Sequence, residues 1–269
     1  MTTQPTAAGT WDEDPDGASI VLATGRARHD LLIVADPIYL TKIDAAWGRP
    51  ASSIRLSFLP GVSAPSGPGQ EDELMSFDRD GLGVLIARGR TSLFEGAPAD
   101  RTTAFARIAA GAGIRAALLV TRADSVGGAE PGDVLVVGDH LNLSGSPLLP
   151  LPVAGPLGIG WDQGLAERLS VVEGVKSSAV AAFLPGPMRP TPAETRMLAL
   201  LGADVVIADG VSEAMVLASR GVHVVGLACI DAVAGQPERP GAPGRRSTGR
   251  RSIAQVVHDV VEHLLDALH

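Results

Sequence analysis

The chain has 269 residues, of which 45% are hydrophobic and 19% charged, so it can form one large α/β domain and is not a mostly disordered protein. A formal net charge of −8 and an aromatic content of 3% exclude the basic, aromatic surface typical of nucleic-acid binders. The single cysteine, Cys229, excludes an intrachain disulfide and a cysteine zinc cluster. No apolar run reaches the ~20 residues of a membrane span, and the first residues lack a signal-peptide pattern. These features predict a soluble cytoplasmic protein.

The first half of the chain alternates short apolar runs with helical patterns. Residues 1–17 are small, polar and acidic and predict a flexible tail, followed by a folded domain over residues 18–269 that begins with a helix. Buried strands are predicted at residues 31–34, 83–87, 116–121 and 134–137. Residues 49–72 are rich in proline, glycine and serine and predict loop, whereas residues 100–113 predict a helix.

The second half continues the alternation after a segment, residues 144–160, that is too rich in proline and glycine for regular structure. Strands are predicted at residues 178–184, 204–208 and 222–229, and helices at 162–170, 212–220 and 253–268. A further helix begins after Thr191, which supplies an N-cap ahead of Pro192. Strands that alternate with helices predict one domain with a parallel or mixed sheet covered on both faces.

Several motifs of unlike chemistry occur together in an order that is typical of one known family. They are Gly89-Arg90 with Phe94-Glu95-Gly96, Asp139-His140-Leu141-Asn142-Leu143, Gly186-Pro187, Ala193-Glu194-Thr195-Arg196-Met197-Leu198, Leu201-Gly202-Ala203-Asp204 and Val211-Ser212-Glu213. In these motifs the chain resembles the trimeric, small-subunit purine nucleoside phosphorylases, with their methylthioadenosine phosphorylase branch. The resemblance extends over roughly residues 30–268. It implies the nucleoside phosphorylase fold, a single α/β domain whose mixed, partly barrel-like central sheet is flanked by helices.

The resemblance also implies a homotrimer and a small nucleoside-like ligand, without a metal, a cofactor, a nucleic acid or a membrane as partner. In the family, phosphate attacks C1 of the sugar as the purine leaves. Arg90 keeps the phosphate-binding arginine and Phe94 belongs to the same phosphate and ribose segment, but Ser92 stands where the family has a histidine. Asp36 and Asp209 stand where the family has neutral phosphate ligands. Because carboxylates repel phosphate, we expect phosphate to bind poorly as a co-substrate.

The positions that the resemblance assigns to the nucleoside have changed as well. Ala208 replaces the methionine beneath the sugar, and Asp231 lies beside the position of the amide that contacts N7. The other expected substrate-binding positions are Arg122, Ala123, Asp124, Arg189 and Thr191. Acids that follow strands are also ordinary helix caps, so each of these aspartates has a structural alternative. Four aspartates scattered along the chain lack the ligand spacing of a recognisable metal site.

Two kinds of function follow from this pattern. The first is an enzyme that cleaves or transfers the glycosidic bond of a nucleoside-like compound, with Asp209, Asp231 and Asp36 as candidate catalytic carboxylates. Asp209 or Asp36 would then act as general base on water in place of phosphate. The alternative is a catalytically inactive family member that serves as a trimeric binding or scaffold protein.

The expected site lies at the carboxyl edge of the sheet, where open α/β sheets bind their ligands. Four aspartates are predicted to follow strands and to meet there beside Arg90, Arg122 and Arg189. An arginine-rich loop over residues 235–251 is interpreted either as a solvated loop or as a lid over the site. His140 is expected to be structural. The histidines expected on the surface are His29, His258, His263 and His269.

Overall fold

A nine-stranded mixed sheet organises the protein, which is described by a computed structural model over residues 14, 16–97, 99–146, 160–236 and 251–269. The strands are β1 (Leu31–Val34), β2 (Ser52–Ile54), β3 (Leu74–Arg79), β4 (Leu82–Ala87), β5 (Ala116–Ser125), β6 (Val134–Asn142), β7 (Val175–Phe183), β8 (Val205–Ile207) and β9 (His223–Val233). The helices are α1 (Ala18–Thr24), α2 (Pro37–Trp47), α3 (Ala99–Thr102), α4 (Ala104–Gly111), α5 (Gln163–Leu169), α6 (Pro192–Leu200), α7 (Val211–Ser219) and α8 (Ile253–Leu268).

The sheet closes on itself over part of its width. Its strand order is β2-β3-β4-β1-β5-β8-β7-β6-β9, and β5 also pairs with β9, so five strands form a closed ring and four extend from it. The inner strands β1 and β5 are apolar on both faces, because one core packs on each side of the sheet. α8 buries its apolar stripe, including Val257 and Val260, against one of these cores. The predicted mixed, partly barrel-like sheet is confirmed.

The strands predicted from apolar runs are present, and three of them extend at least four residues past their predicted ends. The strand predicted at 134–137 reaches Asn142. The predicted strand at 116–121 reaches Ser125, and the one at 222–229 reaches Val233. Asp124 and Asp231 therefore lie inside the ends of β5 and β9 and do not follow them, as the shorter prediction had it. Pairing between β5 and β9 carries both strands past their apolar runs.

Three elements went unpredicted in the segment between β1 and β4. Pro37 begins α2, and its N-cap position is Asp36, which stands where the family has a neutral phosphate ligand. Residues 49–72, predicted to be loop, contain the short strand β2, which pairs with the unpredicted β3.

The predicted helix over 100–113 is divided at Thr103 into α3 and α4.

The burial of one histidine differs from the expectation. His29 is fully buried, which contradicts its predicted surface position, and burial lowers its pKa to about 4. Its backbone N–H donates to the carbonyl of Ala112, directly after α4. His140 has a partner, because the Trp161 indole N–H donates to its Nδ1 at 3.2 Å.

Several predictions concern residues outside the described part of the chain. Residues 147–159 of the proline- and glycine-rich segment lie there, as do residues 237–250 of the arginine-rich loop and residues 1–13 of the predicted tail. At the edges of these gaps, Asp14 accepts hydrogen bonds from Ala18 and Ser19 at the start of α1, and Arg251 pairs with Glu173 at 2.7 Å. None of the described helices is long and apolar enough to cross a membrane.

Candidate functional site

Arg90 lies at the centre of the carboxyl edge of the sheet, buried and surrounded by acceptors. Its Nη2 donates to the main-chain carbonyls of Val34 at 2.9 Å and Val120 at 2.7 Å, the last or near-last residues of the apolar runs of β1 and β5. Its Nη1 lies 3.0 Å from Glu213 and 3.2 Å from Asp209. Four of the five N–H donors of a guanidinium are thus directed at atoms of the protein itself.

Asp209 and Glu213 are placed by the turn between β8 and α7. Gly210 makes this turn with φ of +86°, and a Cβ at that position would lie 2.8 Å from Cγ2 of Thr121, so glycine is required there. Burial raises the pKa of Asp209 to about 6, although Arg90 opposes the change. Burial also raises the pKa of Glu213. For Arg90, burial lowers the pKa, but Glu213 and Asp209 outweigh it and leave the pKa raised.

Asp36 is linked to Arg90 through one amide side chain. The Gln70 Nε2 donates to Asp36, while the Gln70 Oε1 accepts from the backbone N–H of Arg90 at 2.9 Å. Asp36 also accepts from Arg122 Nε, and its side chain is only 6% exposed. It makes no side-chain hydrogen bond to the start of α2, so its carboxylate is aimed at the arginine and not used as a helix cap.

Asp231 occupies a β-bulge at the end of β9. Ala123 pairs with Ile230 and Asp124 pairs with Ala232, which leaves Asp231 as the extra residue. A bulge redirects the side chain it carries. The Tyr39 hydroxyl of α2 donates to the two carboxylate oxygens of Asp231 at 3.1 and 3.2 Å.

Arg122 connects this bulge with Asp36. Its Nη1 lies 3.7 Å from the Asp231 carboxylate, and its Nε pairs with Asp36. Burial raises the pKa of Asp231 against the opposing effects of Arg122 and Tyr39. Burial also raises the pKa of Tyr39, so its hydroxyl stays protonated and acts as the hydrogen-bond donor to Asp231. The two acids are joined by one arginine at the sheet edge.

A small pocket opens beside Asp209. Ser92, Ala208, Asp209 and Glu213 all line it. Phe94 borders the same region, because a Cβ on Gly186 would lie 3.3 Å from the Phe94 ring and 3.1 Å from Cβ of Ala208. The resemblance assigns Ser92 and Asp209 to phosphate-ligand positions, Ala208 to the position beneath the sugar, and Phe94 to the phosphate and ribose segment.

The remaining predicted positions lie around this group. Arg189 Nε lies 3.2 Å from the Asp124 carboxylate, and Arg189 also acts electrostatically on Asp231. Ala123 is buried in β5. Thr191 caps α6 in a reciprocal capping box with Glu194, so its hydroxyl is engaged at the helix start. The structure thus joins Asp36, Asp209, Asp231, Arg90 and Arg122 in one network, with the pair of Asp124 and Arg189 beside it.

Sequence reasoning did not assign a role to three members of this network, Glu213, Gln70 and Tyr39. Glu213 lies in the motif Val211-Ser212-Glu213, and Gln70 ends the segment Pro68-Gly69-Gln70, which the resemblance aligns with a Pro-Gly-His segment of the family, so alignment was the available signal. Tyr39 had none, because its partner Asp231 is 192 positions away in the chain. Within the described ranges, no group of three histidine, cysteine or acidic side chains is arranged to hold a metal ion.

The fold and this edge define an α/β protein whose candidate site lies at the carboxyl ends of its strands. A comparison with protein-family models finds no match. The chain is 32% identical over 225 residues to the purine nucleoside phosphorylase of Mycobacterium tuberculosis, covering 81% of this chain and 83% of that protein. It is 30% identical over 209 residues to that of Mycobacterium leprae, covering 77% of each.

The solved structures agree in fold. Schistosoma mansoni purine nucleoside phosphorylase in complex with acetate superposes with a TM-score of 0.75 at 19% identity, over 94% of each chain. The chain therefore belongs to the purine nucleoside phosphorylase family, as its motifs predicted.

Proposed function

We propose that this protein binds a nucleoside or nucleoside-like glycoside and cleaves its glycosidic bond with water, in place of phosphate, as the nucleophile. Membership of the family supports the ligand class. The observation that carries the proposal is the environment of Arg90, whose donors are directed at two carboxylates and two main-chain carbonyls. A phosphate dianion at this point would compete with Asp209 and Glu213 for the guanidinium and would meet their negative charge.

Asp209 is the general base of this proposal. It lines the pocket beside Ser92 and Ala208, and its side chain remains 19% exposed, so a water molecule can reach it. With a pKa of about 6, the carboxyl is mostly ionised at neutral pH and is near the range in which a general base is efficient. The proposed substrate-binding residues are Arg90, Ser92, Phe94, Arg122, Ala123, Asp124, Arg189, Thr191 and Ala208, with Asp36 and Asp231 as further catalytic candidates.

A second candidate function is supported by the same network. Arg90, Asp209, Asp36 and Arg122 satisfy one another without a ligand, which also suits a catalytically inactive family member that serves as a binding or scaffold protein. The two candidates differ in turnover. Incubation with a panel of nucleosides, with and without phosphate, distinguishes them by the release of free base.

The sugar product identifies the nucleophile. Free sugar, formed at the same rate with and without phosphate, supports hydrolysis, whereas sugar 1-phosphate formed only with phosphate would overturn it. Binding of a nucleoside without release of base would support the scaffold function. Asp209→Asn should abolish release of base while leaving ligand binding measurable. Asp266→Asn, at an exposed position of α8, is the matched control.

The proposal includes a homotrimer and a cytoplasmic location. Exposed apolar side chains on α6, on the segments that flank it and directly after β6 suit a contact between copies of the chain: Leu143, Met188, Met197, Leu200 and Leu201. A lone cysteine, buried and unpaired, accords with a reducing compartment. Light scattering that gives three times the chain mass of 27.6 kDa is the expected result, and a monomer would contradict it.

A further inference from the structure

We propose that Glu213 is a positioning residue for the general base: it takes a share of the Arg90 guanidinium and thereby keeps Asp209 able to accept a proton from water. The inference rests on the proposed hydrolysis, in which Asp209 is the base, and adds the residue that sets the strength of that base. A carboxylate that held a buried arginine alone would be stabilised in its ionised form and would accept protons poorly. Three features of the structure support this role.

The first feature is that both carboxylates bind the same nitrogen atom. Arg90 Nη1 lies 3.0 Å from Oε2 of Glu213 and 3.2 Å from Oδ1 of Asp209. The two oxygens are therefore no more than about 6 Å apart. At ~4–6 Å, charged groups act strongly on each other's protonation. Each acid therefore receives a share of one positive charge and meets the negative charge of the other.

The second feature is that the Arg90 guanidinium is held in place. Its Nη2 donates to the main-chain carbonyls of Val34 and Val120 at 2.9 and 2.7 Å. Its Nη1 lies 3.5 Å from the position that a Cβ of Gly210 would occupy. The Arg90 side chain is only 2% exposed. Because the guanidinium is fixed through both terminal nitrogens, it does not turn toward Asp209 and away from Glu213.

The third feature is the difference in access between the two acids. Glu213 lies in the first turn of α7, where its carboxylate binds Arg90 and also accepts from the backbone N–H of Gly210. Its side chain is 9% exposed, whereas that of Asp209 is 19% exposed. Water and a ligand therefore reach Asp209, while Glu213 holds the arginine from the buried side.

The charges around the pair support the same division of roles. Burial is the main cause of the raised pKa of Asp209, Arg90 opposes it, and Glu213 adds to it. Glu213 itself faces Arg90 and Asp209, and Arg101 of α3 lines a small cavity with it. The charged groups that face Asp209 are Arg90 after β4, Glu213 from α7, Asp36 before α2 and Arg122 from β5.

Glu213 exchanges no proton in the proposed step. The bond between C1 and the base nitrogen breaks, its electron pair stays on the nitrogen, and that nitrogen takes a proton from solvent. Water forms the new bond to C1 and gives one proton to the Asp209 carboxylate, which later releases it to solvent. The products are free base and free sugar. Glu213 acts only through its effect on Arg90 and Asp209.

The test is a direct titration of Asp209. NMR of isotope-labelled aspartate carboxyl carbons measures its midpoint, and Asp209→Asn identifies the signal. Glu213→Gln keeps the shape of the side chain and an acceptor for Arg90 but removes the charge. We expect the Asp209 midpoint, near pH 6 in wild type, to move lower by about one pH unit. Glu213→Asp, which keeps the charge one methylene farther from Arg90, should move it less in the same direction. Glu167→Gln, at an exposed position of α5, should leave it unchanged.

The same shift should appear in the acid limb of the pH profile of kcat/KM, because Asp209 must be ionised to accept the proton. A merely structural glutamate would lower activity at every pH without moving the limb. Either variant of Glu213 serves if the other does not fold. An Asp209 midpoint that does not move would overturn this inference and leave the proposed hydrolysis standing. Failure of the wild type to release base, with a midpoint that still moves, would overturn the hydrolysis and with it this role of Glu213.

Discussion

Replacement of Asp209 by asparagine should remove a dependence of stability on pH that burial of this carboxyl creates. Burial raises the pKa of Asp209 from 3.8 to about 6. Between these values the folded protein keeps a proton that the unfolded chain has released, so the free energy of unfolding falls as the pH rises through this window. Asparagine resembles the protonated carboxyl in shape and does not titrate, and the variant therefore lacks the fall.

The magnitude follows from the two pKa values. The difference between 3.8 and about 6 corresponds to about 3 kcal/mol, an upper limit here because Glu213 also pairs with Arg90 and can take up part of the effect. Urea unfolding of wild type and Asp209→Asn at pH 4 and pH 7 measures it. The stability of the variant relative to wild type should rise by up to about 3 kcal/mol from the lower to the higher pH. A relative stability that is equal at both pH values would refute the reasoning, and Asp266→Asn controls for the chemical change.

Three further predictions concern the same edge of the sheet. Arg90→Met should lower the free energy of unfolding, measured in urea, by about 3–5 kcal/mol, because buried Glu213 is left without its cation. A loss under about 1 kcal/mol would contradict this pairing. Millimolar phosphate should leave the Tm unchanged, and calorimetry that finds a micromolar Kd would overturn this. Gly210→Ala should lower the free energy of unfolding by about 1–3 kcal/mol more than Gly221→Ala does. Both glycines have a positive φ, but only at Gly210 does the new Cβ meet Thr121. Equal losses would show that Thr121 moves aside.

Much of the fold could be predicted from the sequence because its strands are apolar on both faces. Runs such as Leu31–Val34 have no other stable place than the middle of a covered sheet. β3 escaped prediction because Leu74–Arg79 mixes exposed and buried positions. The ends of β5 and β9 depend on their mutual pairing, which a pattern local to either strand does not contain.

The candidate site was predictable in its location and much less so in its pairings. Acids near the carboxyl ends of parallel strands meet at one edge, and because β1 and β9 run parallel to β5, this rule predicts that Asp36 and Asp231 lie together. Asp209 follows β8, which runs antiparallel to β5, so the rule does not predict its place beside Arg90. The rule says nothing about which arginine each acid contacts. Arg90 was expected to face a ligand, and it directs two of its donors at carbonyls of β1 and β5 instead. Such contacts join residues far apart in the chain and depend on the closed sheet.

The charges of the network explain why its substitutions belong together. Asp36, Asp209, Glu213 and Asp231 face two guanidinium groups, Arg90 and Arg122, so four acids against two cations give a net charge of −2 when all are ionised. Burial raises the pKa of three of these acids, which lowers the cost of the excess by retaining protons. We expect a site of this kind to bind a phosphate dianion poorly. Asp209, with a pKa of about 6, exchanges a proton close to neutral pH, as the proposed hydrolysis requires of the carboxylate that takes a proton from the attacking water.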